Sequence, residues 1–267
     1  MRLSVRLAVL AAPLAATLAA TLGAQDASVA RDTALRRTIV TTDFSYVSWG
    51  GDIAAWRLGS IALSRRTAAG SVIARVNVAD RFGATGAQVE VDAYPRLRTG
   101  TYLYLNAGYS ASSVFPEWRS GGELFQSLPQ AWEASAGYRQ LRFGGTPVTL
   151  FTGSVGKYAG DYWISLRPYL RFKDSGTSAS AGLTVRRYGA DGDHYIGATI
   201  SAGSSPTDRV APEQLARTNS VGGGVQGSSS VARHVLGTWS IGTARETLES
   251  GRARTSWTVM GGLAFEF

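Results

Sequence analysis

The residues of this chain that could bind or react with a solute are charged and aromatic side chains placed at every second position among apolar ones. In the segment 87–97, Glu90 and Asp92 alternate with Val89 and Val91. Successive side chains of a β-strand point to opposite faces, so the polar ones would share a face. The candidates for lining a binding or transport pathway are Arg75, Glu90, Asp92, Tyr94, Glu133, Arg139, Arg167 and Arg186.

Arginine outnumbers carboxylate in this polar set, which leaves two interpretations open. An excess of arginine around an enclosed path focuses a positive potential that attracts anions. This favours a passage or export component for a polar, anionic solute such as a saccharide. Alternatively, each carboxylate pairs with an arginine and the side chains fill the interior, because an unpaired charge away from water is costly. That interpretation predicts a structural or surface-recognition protein with a closed interior.

A hydrolytic site has weaker support in the sequence. Asp191, Asp193 and His194 could supply a carboxylate-oriented base. Ser201 is too far along the same strand to serve as its nucleophile, at roughly 20 Å or more. The chain has no cysteine and two histidines, too few for a metal site built on those ligands. We therefore predict no enzymatic activity, no metal and no cofactor.

Alternating segments of about ten residues, the length of a strand that crosses a membrane at a tilt, recur along nearly the whole chain. Most are separated by glycine-containing turns such as 144–147. The pattern predicts a closed antiparallel up-and-down transmembrane β-barrel of 12 strands, with 14 as the alternative because 219–226 could be a further strand. The predicted strands are 38–49, 53–65, 71–82, 87–97, 101–112, 131–143, 148–158, 161–172, 178–188, 194–204, 231–248 and 254–267.

The chemistry of the two strand faces indicates which medium each one meets. One face is uncharged, as in Val89, Val91, Leu103 and Ile200. A soluble barrel would place many lysines and glutamates outside, whereas this chain carries few lysines and its charges are mostly arginines on the polar face. We therefore predict that the apolar face contacts lipid and the polar face lines the interior.

The two ends of the chain predict export and membrane assembly. Arg2 and Arg6 precede an apolar run over 7–22, which is typical of a secretory signal peptide ending at residue 24. Residues 25–36 would form a short periplasmic segment, and 37–267 the barrel. The final alternating stretch, 257–267, resembles the assembly signal of bacterial outer-membrane barrels, with Phe265 and Phe267 as its aromatic residues.

The longest connection predicted from the 12-strand pattern covers 113–130. It follows the fifth strand, and with both termini periplasmic it would lie outside the cell. A long connection with no structure of its own is often functional. Its candidates for gating the barrel or contacting a ligand are Phe115, Trp118, Arg119 and Glu123.

Several long strings resemble the YaiO family of outer-membrane β-barrels. They read VDAYPRL (91–97), YLNAGYSAS (104–112), FPEWRSGGELFQSLPQAWEASAGYRQLRF (115–143), GKYAGDYWISLRPY (156–169) and RRYGADGDHYIG (186–197). The resemblance extends from about residue 37 to the end of the chain. It implies a location in the outer membrane of a Gram-negative cell and a barrel architecture, but no settled activity. Some members carry an N-terminal helical-repeat region that these strings do not include.

The expected partners follow from this location. Outer-membrane lipid and lipopolysaccharide would surround the barrel, the barrel-assembly machinery would act on the C-terminal strand, and a polysaccharide is a further candidate. The sequence pI is about 10.0, which raises the question of nucleic-acid binding. However, the arginines are spread strand by strand without a recognised reader motif, so we predict no nucleic-acid partner.

Overall fold

The computed structural model describes residues 37–51, 53–81, 83–173, 176–190, 192–206 and 217–267. The predicted signal peptide (1–24) and periplasmic segment (25–36) lie outside these residues. The chain forms 14 strands: β1 Arg37–Trp49, β2 Trp56–Thr67, β3 Gly70–Arg81, β4 Ala84–Arg98, β5 Thr101–Tyr109, β6 Trp118–Leu128, β7 Trp132–Phe143, β8 Thr146–Ala159, β9 Tyr162–Lys173, β10 Gly176–Tyr188, β11 Tyr195–Gly203, β12 Arg217–Ala232, β13 Val235–Leu248 and β14 Ala253–Glu266.

All neighbouring strands pair antiparallel, and β1 pairs with β14, so the sheet closes into a barrel. Following the paired residues once around the sheet returns to β1 about 14 residues from the start, a stagger that fits the strand tilt of barrels, roughly 35–45°. A single 3₁₀ turn, Pro129–Ala131, joins β6 to β7. Among the described residues, no helix is long and apolar enough to cross a membrane.

The closed all-β fold is confirmed, but the preferred count of 12 strands is wrong and the alternative of 14 is correct. The two missed strands are β6 and β12. Both contain consecutive glycines, Gly121–Gly122 in β6 and Gly222–Gly224 in β12. Glycine has no side chain to assign to a face, so it hides the alternation on which the sequence prediction depends.

The prediction of an external loop over 113–130 is wrong for most of its length. Trp118, Arg119 and Glu123 belong to β6, which pairs with β5 and β7 along its whole length. Arg119 and Glu123 point into the barrel and are buried, while Trp118 points outward and is exposed. Phe115 is the one candidate that remains in a connection, and it too is buried.

The apolar face points outward, as predicted. Val89 and Ile200 are 56% and 58% exposed, whereas Glu90 and Arg139 are each 4% exposed. A band of exposed valine, leucine and isoleucine with aromatic residues is the surface that a hydrocarbon environment requires of a barrel. The inward face is polar, so the candidate functional residues lie in the interior of the barrel.

The barrel end at which β1 begins and β14 ends is called the terminal end below. The backbone N–H groups of Thr38 and Phe267 each donate to the carbonyl oxygen of the other residue. Arg37 and Glu266 add an ion pair at the same place. The opposite end, which carries the connection between β5 and β6, is called the loop end below.

Candidate functional site

The interior has two walls that differ in chemistry. The charged wall, on β3 to β9, carries most of the large ionic side chains, and the hydroxyl wall, on β1 and β10 to β14, carries mainly small polar ones. The ionic side chains on the strands of the hydroxyl wall include Asp43, Arg186 and the Glu246–Arg254 pair. The charged wall consists of Arg75, Glu90, Asp92, Asn106, Arg119, Glu123, Arg139 and Arg167. The hydroxyl wall consists of Ser45, Ser180, Thr184, Thr199, Ser220, Ser228, Thr238, Ser240, Ser256 and Thr258.

One half of the charged wall is a network around Glu90 and Asp92. Arg75 Nη1 lies 3.5 Å from Glu90 Oε2 and 3.3 Å from Asp92 Oδ2, and Arg119 Nη1 lies 3.3 Å from Glu90 Oε1. Asn106 donates to both carboxylates at 2.8 and 2.6 Å and accepts from Arg119 Nε at 2.9 Å. These groups sit together because β3 to β6 place them in neighbouring register positions.

The other half of the charged wall is organised by Glu123. Its Oε2 accepts from Arg139 at 2.6 Å, and its two oxygens lie 2.8 and 3.0 Å from Arg167 Nη1. Ser135 donates a further hydrogen bond at 2.5 Å. The Arg139 guanidinium also lies over the Tyr104 ring, 4.5 Å from its centre. One carboxylate therefore holds two arginines from β7 and β9, which fixes both side chains across the wall.

Glycines opposite the interior arginines make room for this arrangement. A Cβ atom added to Gly108 would lie 2.8 Å from Arg119 Cγ, and one added to Gly121 would lie 2.6 Å from Arg139 Cδ. Each glycine is the register partner of its arginine on the next strand. The guanidinium chains therefore lie flat across the neighbouring strand instead of extending to the barrel axis.

The remaining predicted interior residues lie outside these two networks. Tyr94 is buried in an apolar cluster with Ile73 and Tyr102. Glu133 is 4% exposed, and its Oε2 has no hydrogen-bond partner among the described residues. Arg186 lies between two aromatic rings, its guanidinium carbon 5.3 Å from the centre of Trp163 and 4.8 Å from that of Tyr195.

At the loop end, the β5–β6 connection turns into the barrel. Phe115 packs with Val114 and Ala79, and the Arg81 guanidinium lies 5.6 Å from the Phe115 ring and 5.1 Å from the Trp56 ring. The connection therefore covers part of the mouth from the inside.

The hydroxyl wall differs in how its polar atoms are satisfied. Thr184 and Thr199 hydrogen-bond to each other at 3.0 Å. The hydroxyl oxygens of Ser45, Ser240 and Thr258 are buried, yet none of them has a hydrogen-bond partner within the described structure. Buried polar atoms in proteins are nearly always hydrogen-bonded, so these hydroxyl groups are candidates for hydrogen bonds to a molecule inside the barrel.

Sequence reasoning missed several of these interior residues. The sequence prediction places Arg119 and Glu123 in a loop, and it does not include the ion pair between Arg254 and Glu246, at 2.9 Å. The hydroxyl wall was also missed, because serine and threonine are common in loops and carry no charge pattern. The glycines opposite two of the arginines, Gly108 opposite Arg119 and Gly121 opposite Arg139, are the signal that could place β6 in the sheet.

His194, one of the candidates for a hydrolytic site, forms a hydrogen bond between two elements of the barrel. His194 Nε2 accepts a hydrogen bond from the backbone N–H of Ser230 at 2.9 Å, which ties the β10–β11 connection to β12. Asp193 lies in that connection, and Asp191 falls outside the described residues. Within the described ranges, no group of three or more histidine, aspartate or glutamate side chains could hold a metal ion.

Comparison with known proteins identifies the family. The family model described as the YaiO membrane β-barrel domain matches residues 37–208. The chain belongs to the YaiO family. The resemblance noted in the sequence is thus confirmed, and the YaiO barrel continues through β12 to β14 in the same closed sheet. A search of curated proteins found no match.

Solved structures similar to this YaiO barrel are bacterial outer-membrane proteins and porins. Omp33 of Acinetobacter baumannii aligns with a TM-score of 0.52 at 11% identity, over 86% of this chain and 98% of its own. The anion-selective porin of Comamonas acidovorans aligns at 0.47 and 9% identity, over 87% and 99%. The KdgM porin in complex with oligogalacturonate aligns at 0.48 and 11%, over 85% and 99%. At these identities the Omp33 match shows a shared barrel fold.

Proposed function

We propose that this YaiO barrel lies in the bacterial outer membrane and provides a passage for polar, anionic, hydroxyl-rich solutes such as acidic saccharides. The observation that carries the proposal is the hydroxyl wall, where the buried hydroxyls of Ser45, Ser240 and Thr258 have no hydrogen-bond partner among the described residues. Water and saccharide hydroxyls can both donate and accept hydrogen bonds, so either would satisfy these groups. No enzymatic activity is part of the proposed function.

The preference for anions is supported by the balance of interior charge. Inward positions of the strands carry more arginines than carboxylates, so ion pairing alone leaves net positive charge inside the barrel. The carboxylates are Asp43, Glu90, Asp92, Glu123, Glu133, Glu246 and Glu266, and the arginines are Arg37, Arg66, Arg75, Arg81, Arg96, Arg119, Arg139, Arg167, Arg171, Arg186 and Arg254.

The width of the barrel is compatible with a narrow passage. Barrels of about 8 strands are filled by side chains and those of about 16 contain an aqueous channel, and this barrel has 14. Most of its large ionic side chains lie on the charged wall, whereas the hydroxyl wall carries mainly small side chains. The space for a solute would therefore lie against the hydroxyl wall.

A second candidate function is a structural or surface-recognition barrel with a closed interior. The observation that favours it is the mutual neutralisation of the charged wall, where Glu123 and Arg139 are 2% and 4% exposed. In that case the arginines hold the sheet together and attract no solute. Assembly by the barrel-assembly machinery through β14 and the adjacent Phe267 is proposed for either function.

The two functions are separated by conductance in planar lipid bilayers. We expect the refolded protein to conduct, with a reversal potential under a potassium chloride gradient that shows preference for chloride. An oligouronate added to one side should interrupt the current more than a neutral oligosaccharide of equal length. Absence of conductance, or preference for potassium, would reject the passage.

A matched pair of variants locates the path within the barrel. Thr258→Tyr adds bulk to the hydroxyl wall, whereas Val259→Tyr adds the same ring on the lipid-facing side, where Val259 is 53% exposed. We expect the first to reduce conductance at least twofold and the second to leave it unchanged. Mobility of unheated samples on gels checks that both variants fold. Equal effects would place the path elsewhere.

A further inference from the structure

An apolar groove of about 650 Å³ crosses the outer surface of β1 to β6. Its upper border is a row of side chains that are register partners on successive strands: Ile61, Val76, Val89, Tyr109 and Trp118. Because the strands tilt, a row along the hydrogen-bonding direction climbs around the barrel towards the loop end.

The groove exists because the neighbouring row contains small residues. Val40, Leu63, Ala74, Val91 and Ala107 are register partners in the same way. Ala74 and Ala107 leave a depression beneath the valine and aromatic side chains of the upper row. The groove extends over six strands, or roughly 24 Å at the usual strand spacing, which is comparable to an extended acyl chain.

The groove ends at a cation. Trp118 and Tyr109 pack with ring centres 4.6 Å apart, and the register partner of Trp118 on β7 is Arg142. Arg142 Nε lies 3.7 Å from Glu117 Oε2, and the arginine side chain remains 55% exposed. The groove therefore has an apolar length and one end that can bind an anion.

We propose that this groove binds one acyl chain of a phosphorylated glycolipid of the lipid A type, with Arg142 contacting its phosphate. The proposal rests on the outer-membrane location proposed above. It commits to the outer leaflet because the cationic end of the groove is at the loop end, opposite the two chain termini. The aromatic pair would lie at the boundary between acyl chains and headgroups, where tyrosine and tryptophan are favoured.

The test is native mass spectrometry of the full-length protein, delipidated in detergent and titrated with lipid A. Ala107→Leu fills the groove, and Ala198→Leu makes the same change at an outward position on β11, which is outside it. We expect Ala107→Leu to lower lipid A retention at least fivefold and Ala198→Leu to leave it unchanged. Equal loss in both variants, or no retention by the parent protein, would overturn the proposal.

Two further variants test the headgroup contact. Arg142→Gln should remove the preference for lipid A over its dephosphorylated form, while Glu117→Gln should increase it, because a carboxylate beside the phosphate is removed. Equal retention of phosphatidylglycerol and lipid A by the parent protein would overturn the choice of occupant. None of these measurements requires the barrel to conduct, so failure here is distinct from failure of the proposed passage.

Discussion

The charged wall and the hydroxyl wall contain similar numbers of polar groups but satisfy them differently. On the charged wall, Glu123 alone accepts from Arg139, Arg167 and Ser135. On the hydroxyl wall, Ser240 and Thr258 have no such partners among the described residues. The difference indicates that the ionic side chains mainly stabilise the barrel. The proposed passage requires that the small hydroxyl side chains bond to a solute.

Among the substitutions that test this difference between the walls, we expect one at Glu123 to have the largest effect on the free energy of unfolding. Glu123→Gln keeps the shape of the side chain but leaves Arg139 and Arg167 without their shared counter-charge. Removing one partner of a buried ion pair costs about 3–5 kcal/mol. We expect a loss of that size in the free energy of unfolding, measured by denaturant titration in phospholipid vesicles. A loss below about 1 kcal/mol, as for an exposed pair, would show that the charged wall is solvated.

A substitution at Glu246 tests a second buried ion pair, the one with Arg254. Arg254 Nε and Nη2 donate to Glu246 at 3.0 and 2.9 Å, and the guanidinium also lies 4.2 Å from the centre of the Trp49 ring. We expect Glu246→Gln to cost about 1.5–3 kcal/mol, the range for a hydrogen bond to a charged group, in the same vesicle titration. A cost equal to or above that of Glu123→Gln would contradict the ranking.

Two inward glycines compare the packing of the walls directly. A Cβ atom on Gly121 would lie 2.6 Å from Arg139 Cδ, which is too close for two non-bonded carbon atoms. A Cβ atom on Gly182 would lie 3.7 Å from its nearest atom, Ser201 Cβ. We expect Gly121→Ala to destabilise the barrel by about 1–3 kcal/mol, as overpacking does, and Gly182→Ala to have little effect on unfolding. Equal effects would mean that the arginine side chains move aside freely.

The smallest expected effect is at Thr258. Thr258→Val replaces a buried hydroxyl with a methyl group of nearly the same volume. If the wall is hydrated or solute-bound, as we propose, the free energy of unfolding should change by less than about 0.5 kcal/mol. A stabilisation of about 1–3 kcal/mol, the cost of an unsatisfied buried group, would instead indicate a dry interior and favour the closed barrel.

The barrel itself was largely predictable from the sequence, because alternation reports directly on the two media that a membrane strand meets. The prediction from alternation failed in β6 and β12, where glycines stand in place of residues with side chains. Closure could not correct the count, since 12 and 14 are both even. In the structure, bulky side chains of a neighbouring strand pack over some of these glycines, as Trp239 of β13 packs over Gly227 of β12. The sequence of β12 alone does not show this contact.

The interior was predictable only in part. Alternation placed Arg75, Glu90 and Arg139 on one face, but it could not show which carboxylate each arginine would contact. The partner of Arg139 is Glu123, and this pairing depends on the register between β6 and β7. On the other wall, several hydroxyls have no hydrogen-bond partner among the described residues. No local sequence pattern indicates whether a side chain will find a partner on another strand.

The most direct test uses the cysteine-free chain as a background for single cysteines. Ser240→Cys places a thiol on the hydroxyl wall, and Ile241→Cys places one on the outer face, where Ile241 is 47% exposed. With the protein in a bilayer, we expect an anionic, membrane-impermeant thiosulfonate reagent to modify Cys at position 240 and reduce the current, and to leave position 241 unmodified. Modification at 241 with protection at 240 would contradict the proposed passage.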